Sequence, residues 1–499
     1  MLGHKTALSG SLMVFGRLVS RVIDLFTMLI LARLLSPADF GLVAIAMTLV
    51  TILEAALEMP LSQALVQLPE ISPHHLHTAF TLSLLRGATL CLLVSGIAIP
   101  FAHWYGHPEL IPLIQALSLA PAARGMQTPR LAEYAKALNF VYEFWFELAG
   151  KVTAFATAAI LAFTTHSFWS IGLCTIAGPV VNTLLGYVVL PYRPRLSLRD
   201  WRLFSGFLGW VSVSQILMSF NIQSEQLLLG KLMPASRLGL FSTANNLSNI
   251  PLAALFSPIL RPLLSAFTVV RDDLARLRES YQLAASAVIA IGLPLLIGQA
   301  AVAGPLVQVL LGPKWVSAIS MTRWLSISLI PYMFGILLSP LGMSLGRTRE
   351  IASRNTVQVL VKLPLLVGGA LYWGFAGVIA ARLISETVTA IFCMASIRQL
   401  CGISIRDQLR VSQRSIVASL VMLAAVVGLD SLLHLPGGMM GQLTRLALLV
   451  MSGMAVYAGS LMAIWHLLGR PSGIEQSALR FVSDIVGRRR RTVPNRQPV

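Results

Sequence analysis

The sequence predicts an all-α polytopic membrane protein of about 14 transmembrane helices, forming two parallel six-helix bundles around a central cavity with two C-terminal helices appended. Three observations lead there. Of the 499 residues, 56% are hydrophobic and only 12% charged, about half the charged share of a soluble domain. Apolar windows of roughly 19 residues recur along the whole chain, and a pattern near residue 33 returns 198 positions later. This composition excludes a soluble enzyme. It also excludes a nucleic-acid binder, because the net charge of +18 is not gathered on one soluble domain.

In chain order, the windows place spans at 12–34, 40–65, 78–101, 110–130, 142–164, 167–190, 204–230, 239–267, 280–303, 317–345, 355–373, 375–396, 414–433 and 443–468. Each is near or above the roughly 20 apolar residues that cross a bilayer. The first contains Arg17, Arg21 and Asp24 and lacks a small-residue cleavage pattern, so it reads as a retained span and not a signal peptide. Prolines interrupt the fourth (Pro112, Pro121, Pro129), eighth (Pro251, Pro258, Pro262) and tenth (Pro331, Pro340); membrane helices tolerate such breaks where neighbours satisfy the freed backbone groups. The expected domains are a first bundle at 1–190, a basic cytoplasmic linker at 191–203, a second bundle at 204–396, the last two helices at 397–468 and a basic tail at 469–499. In the tail, apolar residues from Ile474 to Val486 precede Arg488 to Arg491, the pattern of an interfacial helix anchored on anionic headgroups. Cys91, Cys174, Cys393 and Cys401 lack paired-ligand spacing, so neither a disulfide framework nor a metal site is expected.

Orientation follows from the basic residues. With the N-terminus in the cytoplasm, 24 of the 38 fall in inside segments, and only Arg33, Lys231, Arg237 and Lys314 fall outside. The positive-inside rule then puts both termini in the cytoplasm. Outside loops are too short to hold a soluble active site.

The repeat relates Leu31-Ala32-Arg33-Leu34-Leu35, with Pro37 and Gly41, to Leu229-Gly230-Lys231-Leu232-Met233, with Pro234 and Gly239. Six spans separate the copies, so the halves are parallel repeats about an axis along the membrane normal, the layout of an alternating-access transporter.

The stretch Ile30-Leu31-Ala32-Arg33-Leu34-Leu35-Ser36-Pro37-Ala38-Asp39-Phe40-Gly41-Leu42-Val43 resembles the opening signature of the polysaccharide transport family, the Wzx-type flippases of the multidrug, oligosaccharidyl-lipid, polysaccharide (MOP) superfamily. Thr78-Ala79-Phe80, Leu310-Leu311-Gly312-Pro313-Lys314-Trp315 and Leu345-Gly346-Arg347-Thr348-Arg349 resemble further family patterns, and the likeness is greatest to colanic and teichuronic acid exporters. The fourth span departs from the pattern: Ala120 to Gly125, with Pro121 and Arg124, replaces a bulkier apolar run. The resemblance implies a non-enzymatic protein of the cell inner membrane. It would turn an undecaprenyl-diphosphate-linked oligosaccharide from the cytoplasmic to the periplasmic leaflet, coupled to H+ or Na+, without a bound cofactor and beside polymerase and glycosyltransferase partners. A cation-coupled exporter of small amphiphiles, from the multidrug branch, is the alternative; a membrane glycosyltransferase or polymerase is a more distant one.

A diphosphate crossing the bilayer needs cations inside the spans, where charges face a bundle interior or a wet cavity. Arg17, Arg21 and Asp24 share one face of the first span, and Glu54 with Glu58 one face of the second. Arg17 with Glu58, and Arg21 with Glu54, are symmetric in number about the turn near Pro37, so two rungs of a charge ladder are expected there. The ladder is either structural or a place where arginines exchange a carboxylate for a diphosphate. Glu147 with Lys151, and Arg382 with Glu386, are expected as local i, i+4 pairs. Arg86, Arg124 and Arg261 are further candidates for a cationic cavity. In many family members an acidic residue stands six positions before the basic one at the end of the seventh span, as Glu225 stands before Lys231. Its neighbours in depth are expected to be Asn245, Asn246 and Asn249, either as a site for a coupling ion or sugar hydroxyls, or as a structural hydrogen-bond network. Trp104, Tyr105, Trp315 and Trp373 lie near span ends, where interfacial aromatics are expected.

Overall fold

The computed structural model describes residues 2–137, 139–205, 209–433 and 438–469; the side chains of 2–15, 17, 205, 209–214, 254, 255, 257, 258 and 261 lie outside that description. So does the tail read as an interfacial helix. Among the described residues the structure is helical, with no strand. The helices are α1 (Leu2–Leu34), α2 (Pro37–Ala56), α3 (Leu61–Gln67), α4 (Pro73–Tyr105), α5 (Leu110–Leu117), α6 (Leu119–Gly125), α7 (Leu131–Lys136), α8 (Val141–Thr165), α9 (Trp169–Val189), α10 (Trp201–Ser205), α11 (Gly209–Leu232), α12 (Ala235–Val270), α13 (Leu274–Ala301), α14 (Ala303–Leu310), α15 (Ala318–Ser328), α16 (Tyr332–Gly335), α17 (Leu338–Ser344), α18 (Thr348–Cys401), α19 (Ile405–Leu432) and α20 (Met439–Leu467). Nine helical segments among the described residues are long and apolar enough to cross a membrane, and the chain is a multi-pass membrane protein.

Local chemistry explains where helices start and stop. Ser36 caps α2 in a reciprocal box with Asp39, with Pro37 in the first turn, satisfying amide hydrogens that have no partner within the helix. Ser72 and His75 repeat the device before α4, which ends on Gly106 at φ 76°. The proline-rich fourth span is divided into α5 and α6, with α7 just beyond it, and the tenth into α15, α16 and α17. The eighth differs from expectation: α12 continues through Pro251, Pro258 and Pro262 as one helix. Within α18, Gly374 at φ 58°, ψ −131° turns the chain back, so the eleventh and twelfth spans form a hairpin. Gly369 and Gly377 line its inside, where a Cβ on Gly377 would stand 1.9 Å from the Gly369 carbonyl oxygen.

The chain divides into two compact units. The first comprises Met1–Asn245, Leu310–Ala318 and Lys362–Val378; the second comprises Asn246–Val309, Ile319–Val361 and Ile379–Val499. In the first, α1 and α9 lie against α8, α4 against α5 and α6, and α2 against α11. Leu31, Leu35, Ala158, Ala162 and Cys174 form the core where α1, α8 and α9 meet. The basic linker is held down: Ser197 N donates to Thr81 Oγ1 at 2.9 Å, and the Tyr192 hydroxyl meets His77 Nδ1 at 2.7 Å. Burial, then Tyr187 and Glu133, push the Tyr192 phenol up to about 12, so it stays neutral there. In the second unit, α13 packs on α19 and α16, and α19 on α20, around a core including Leu277, Tyr281, Leu338 and Cys401.

The 198-residue repeat has a physical counterpart. The starts of α2 and α12 cross through backbone: a Cβ on Gly41 would lie 1.8 Å from the Ala235 carbonyl oxygen, and one on Gly239 would lie 1.7 Å from that of Pro37. Ala235 and Gly239 are the repeat equivalents of Pro37 and Gly41, so the contact is reciprocal. No side chain fits between those backbones. Gly41→Ala or Gly239→Ala is expected to abolish accumulation of folded, inserted protein, while Gly96→Ala, in open space on α4, leaves it unchanged. Fluorescence-detected size exclusion of the solubilised variants checks this.

Candidate functional site

Four charged side chains of the first half, Glu54, Glu58, Arg86 and Arg124, gather where α2, α4 and α6 meet. Helices α4 and α6 pack through glycines, since a Cβ on Gly125 would come within 2.6 Å of Ser83 O and 2.9 Å of Gly87 Cα. That approach sets Arg124 beside α2. Arg124 Nη2 donates to Glu54 Oε1. Arg86, on α4, donates from Nη2 to the Glu54 carbonyl oxygen at 3.4 Å and stands 3.8 Å from Glu58 Oε2. Its Nε is buried without a hydrogen-bond partner. Two guanidinium groups thus balance two carboxylates, and all four side chains are partly exposed.

The expected ladder between the first two spans is corrected. Glu54 is held by Arg124 and not by Arg21. The reason is packing: α1 lies along α8 rather than α2, although α1 and α2 are consecutive. Asp24 accordingly meets Lys151 Nζ on α8 at 2.5 Å, which also replaces the local Glu147–Lys151 pair. Arg21 is exposed and makes no ion pair among the described residues. The Arg17 side chain, and with it the Arg17–Glu58 rung, lies outside the described residues, as does the Arg261 side chain.

A second site was only half legible. Glu225 on α11 is buried, and its partner is Lys362 on α18, 2.9 Å away, with side chains 6% and 8% exposed. Lys362 Nζ also donates to Asn221 O at 2.8 Å. The signal for Lys362 was present as a lone lysine inside the eleventh span with no acid at i±4. Asn245 belongs to the unit that holds Glu225, whereas Asn246 and Asn249 belong to the other; Asn246 is exposed and the other two are half-buried. Ser248, between them, is buried and donates to Thr322 O at 3.3 Å, while Gln299 Nε2 donates to Leu247 O at 2.8 Å. This part of α12 therefore takes part in structural hydrogen bonding. Trp104 and Trp373 are exposed, whereas the interfacial reading is corrected for Trp315 and Tyr105, which are buried at 0% and 8% exposure.

Residues 30–320 match the polysaccharide biosynthesis protein family, and the chain belongs to that family. It is 25% identical over 401 residues to the lipopolysaccharide biosynthesis protein WzxC of Escherichia coli, covering 77% of this chain and 79% of that one. It is 26% identical over 321 residues to the succinoglycan biosynthesis transport protein ExoT of Rhizobium meliloti, covering 62% and 65%. In fold it is similar to the lipid II flippase MurJ in an inward closed conformation, with a TM-score of 0.72 over 91% of this chain and 98% of that one at 15% identity. An inward-facing multidrug MATE transporter of the MOP superfamily follows at 0.57, over 77% and 94% with 15% identity.

Both pairings have clear tests. The charge-swapped double Glu54→Arg, Arg124→Glu should recover expression or activity lost in either single variant, whereas Glu54→Arg, Arg21→Glu should not. For the buried pair, Glu225→Gln should lower stability by about 3 kcal/mol, the usual result of orphaning a buried charge. Adding Lys362→Met should return part of that loss, as read by thermal unfolding in detergent.

Proposed function

We propose that this protein moves an undecaprenyl-diphosphate-linked oligosaccharide from the cytoplasmic to the periplasmic leaflet of the inner membrane, both termini lying in the cytoplasm. Family membership, the names of its relatives and the flippase-like fold support the reading, but one observation carries it: two intramembrane arginines are held by carboxylates at partly exposed positions. A diphosphate left unpaired in a low-dielectric region costs several kcal/mol or more. Arg86 and Arg124 supply the counter-charge by exchanging Glu58 and Glu54 for phosphoryl oxygens, and Glu54 or Glu58 takes a proton as its arginine leaves. Arg21, already free of ion pairs among the described residues, is the first cation such a headgroup meets. Arg17 and Arg261 extend the set.

The two repeats, 1–190 and 204–396, move as the alternating bodies, and Glu225 with Lys362 is the coupling element: protonating Glu225, or placing Na+ beside it, releases the lysine. The acceptor side passes the glycan to a polymerase, and glycosyltransferases supply the substrate. An exporter of cationic amphiphiles needs carboxylates without counter-ions. Here Glu54 and Glu58 both face arginines.

The double variant Arg86→Ala, Arg124→Ala is expected to insert at wild-type levels yet cut export roughly a hundredfold, the factor that about 2.7 kcal/mol in the barrier produces. Arg→Lys replacements should keep part of it, because charge persists without the bidentate fork. The measurement is accumulation of lipid-linked oligosaccharide in the inner leaflet of cells carrying each variant. Normal export by the double alanine variant would assign these arginines a structural role.

A further inference from the structure

The first helices of the two repeats, α1 and α11, each end against a segment contributed by the other repeat, and all the residues involved belong to the first compact unit. At the end of α1, Trp315 Nε1 donates to Ala32 O at 2.7 Å, and Lys314 Nζ donates to Arg33 O and Leu34 O, both at 3.4 Å. The Trp315 ring stands edge-on to Phe40, 5.1 Å between centroids. At the end of α11, Tyr105 OH donates to Leu227 O at 2.9 Å. Lys231 Nζ donates to Trp104 O and lies 5.5 Å from the centre of that indole ring.

The chemistry of these anchors is that of helix ends. The last carbonyls of a helix lack partners within it, and its negative pole favours a cation. Lys314 meets those needs at the end of α1, and Lys231 at the end of α4. Between the two anchors lies the reciprocal crossing of Gly41 with Ala235 and Gly239 with Pro37. Beyond it runs a polar seam between α2 and α11, where Thr48 Oγ1 donates to Gln226 Oε1 at 3.0 Å and Ser219 Oγ to Thr51 O at 3.4 Å. Thr48 is 1% exposed.

We propose that Trp315 with Lys314, and Tyr105 with Lys231, are positioning residues for transport, forming a paired latch that holds this end of the protein shut and must release for cargo to leave. Hydrogen bonds to helix carbonyls suit that task, because they break without separating a buried ion pair. The latch rests on the alternating-access part of the proposed function, and its first test needs no substrate. A Thr48→Cys probe is labelled with a membrane-impermeant maleimide, applied from each side in turn, in the parent and in Trp315→Phe, Lys231→Met. Trp315→Phe keeps an aromatic ring beside Phe40 and removes only the N–H donor.

Labelling from one side should rise about tenfold, the population shift that losing two hydrogen bonds produces. Unchanged labelling from both sides overturns the latch. If that variant fails to accumulate, Trp104→Cys, Lys231→Cys bridged by a cleavable bis-thiol reagent supplies the test: export should stop while bridged and return on reduction. Export continuing in the bridged state overturns the proposal. Raised labelling in a protein whose parent exports no polysaccharide keeps the latch and removes the flippase reading.

Discussion

A charge inside hydrocarbon has to be met by an opposite charge or by water, and the interior of this protein is organised around that constraint. Glu54, Glu58 and Asp24 face Arg124, Arg86 and Lys151 in half-exposed pairs, while Glu225 faces Lys362 in a nearly dry one. The difference in burial separates their behaviour. A half-exposed pair exchanges partners at small cost, whereas a dry pair separates only when one of its charges is neutralised or replaced.

Packing places those charges. Close backbone approach at Gly87 and Gly125 sets α6 against α4 and turns Arg124 toward α2. The break between α5 and α6, where the fourth span is rich in proline, lets a short helix do what a continuous span does not. The hairpin at Gly374 returns the chain within α18, and Lys362 on its first arm reaches Glu225. Glycine is required at that turn because the backbone sits at positive φ.

The repeat also has a mechanical meaning. Two helix starts cross at Gly41 and Gly239 with no side chain between them, and indole, phenol and lysine donors flank the crossing. Such a contact closes tightly because it is backbone on backbone. Its flanking bonds are hydrogen bonds to carbonyl oxygens rather than buried ion pairs.

Much was legible in the sequence. Apolar windows located the long helices, prolines foretold the fragments of the fourth and tenth spans, and the offset of 198 predicted the equivalence of Gly41 and Gly239. Most of these features follow from hydropathy and backbone preference within a few residues. Partner choice was not local. Numbers symmetric about the Pro37 turn place Arg21 and Glu54 at equal depth, but depth says nothing about which neighbouring helix a face meets, and α1 turned its face to α8. Proline alone did not determine α12 either, since the helix continues through three of them. The sequence by itself determined which charged residues lie within apolar stretches, because hydropathy is a property of each stretch of chain. Only the tertiary structure decided who neutralises whom, because that depends on the packing of helices far apart in the chain.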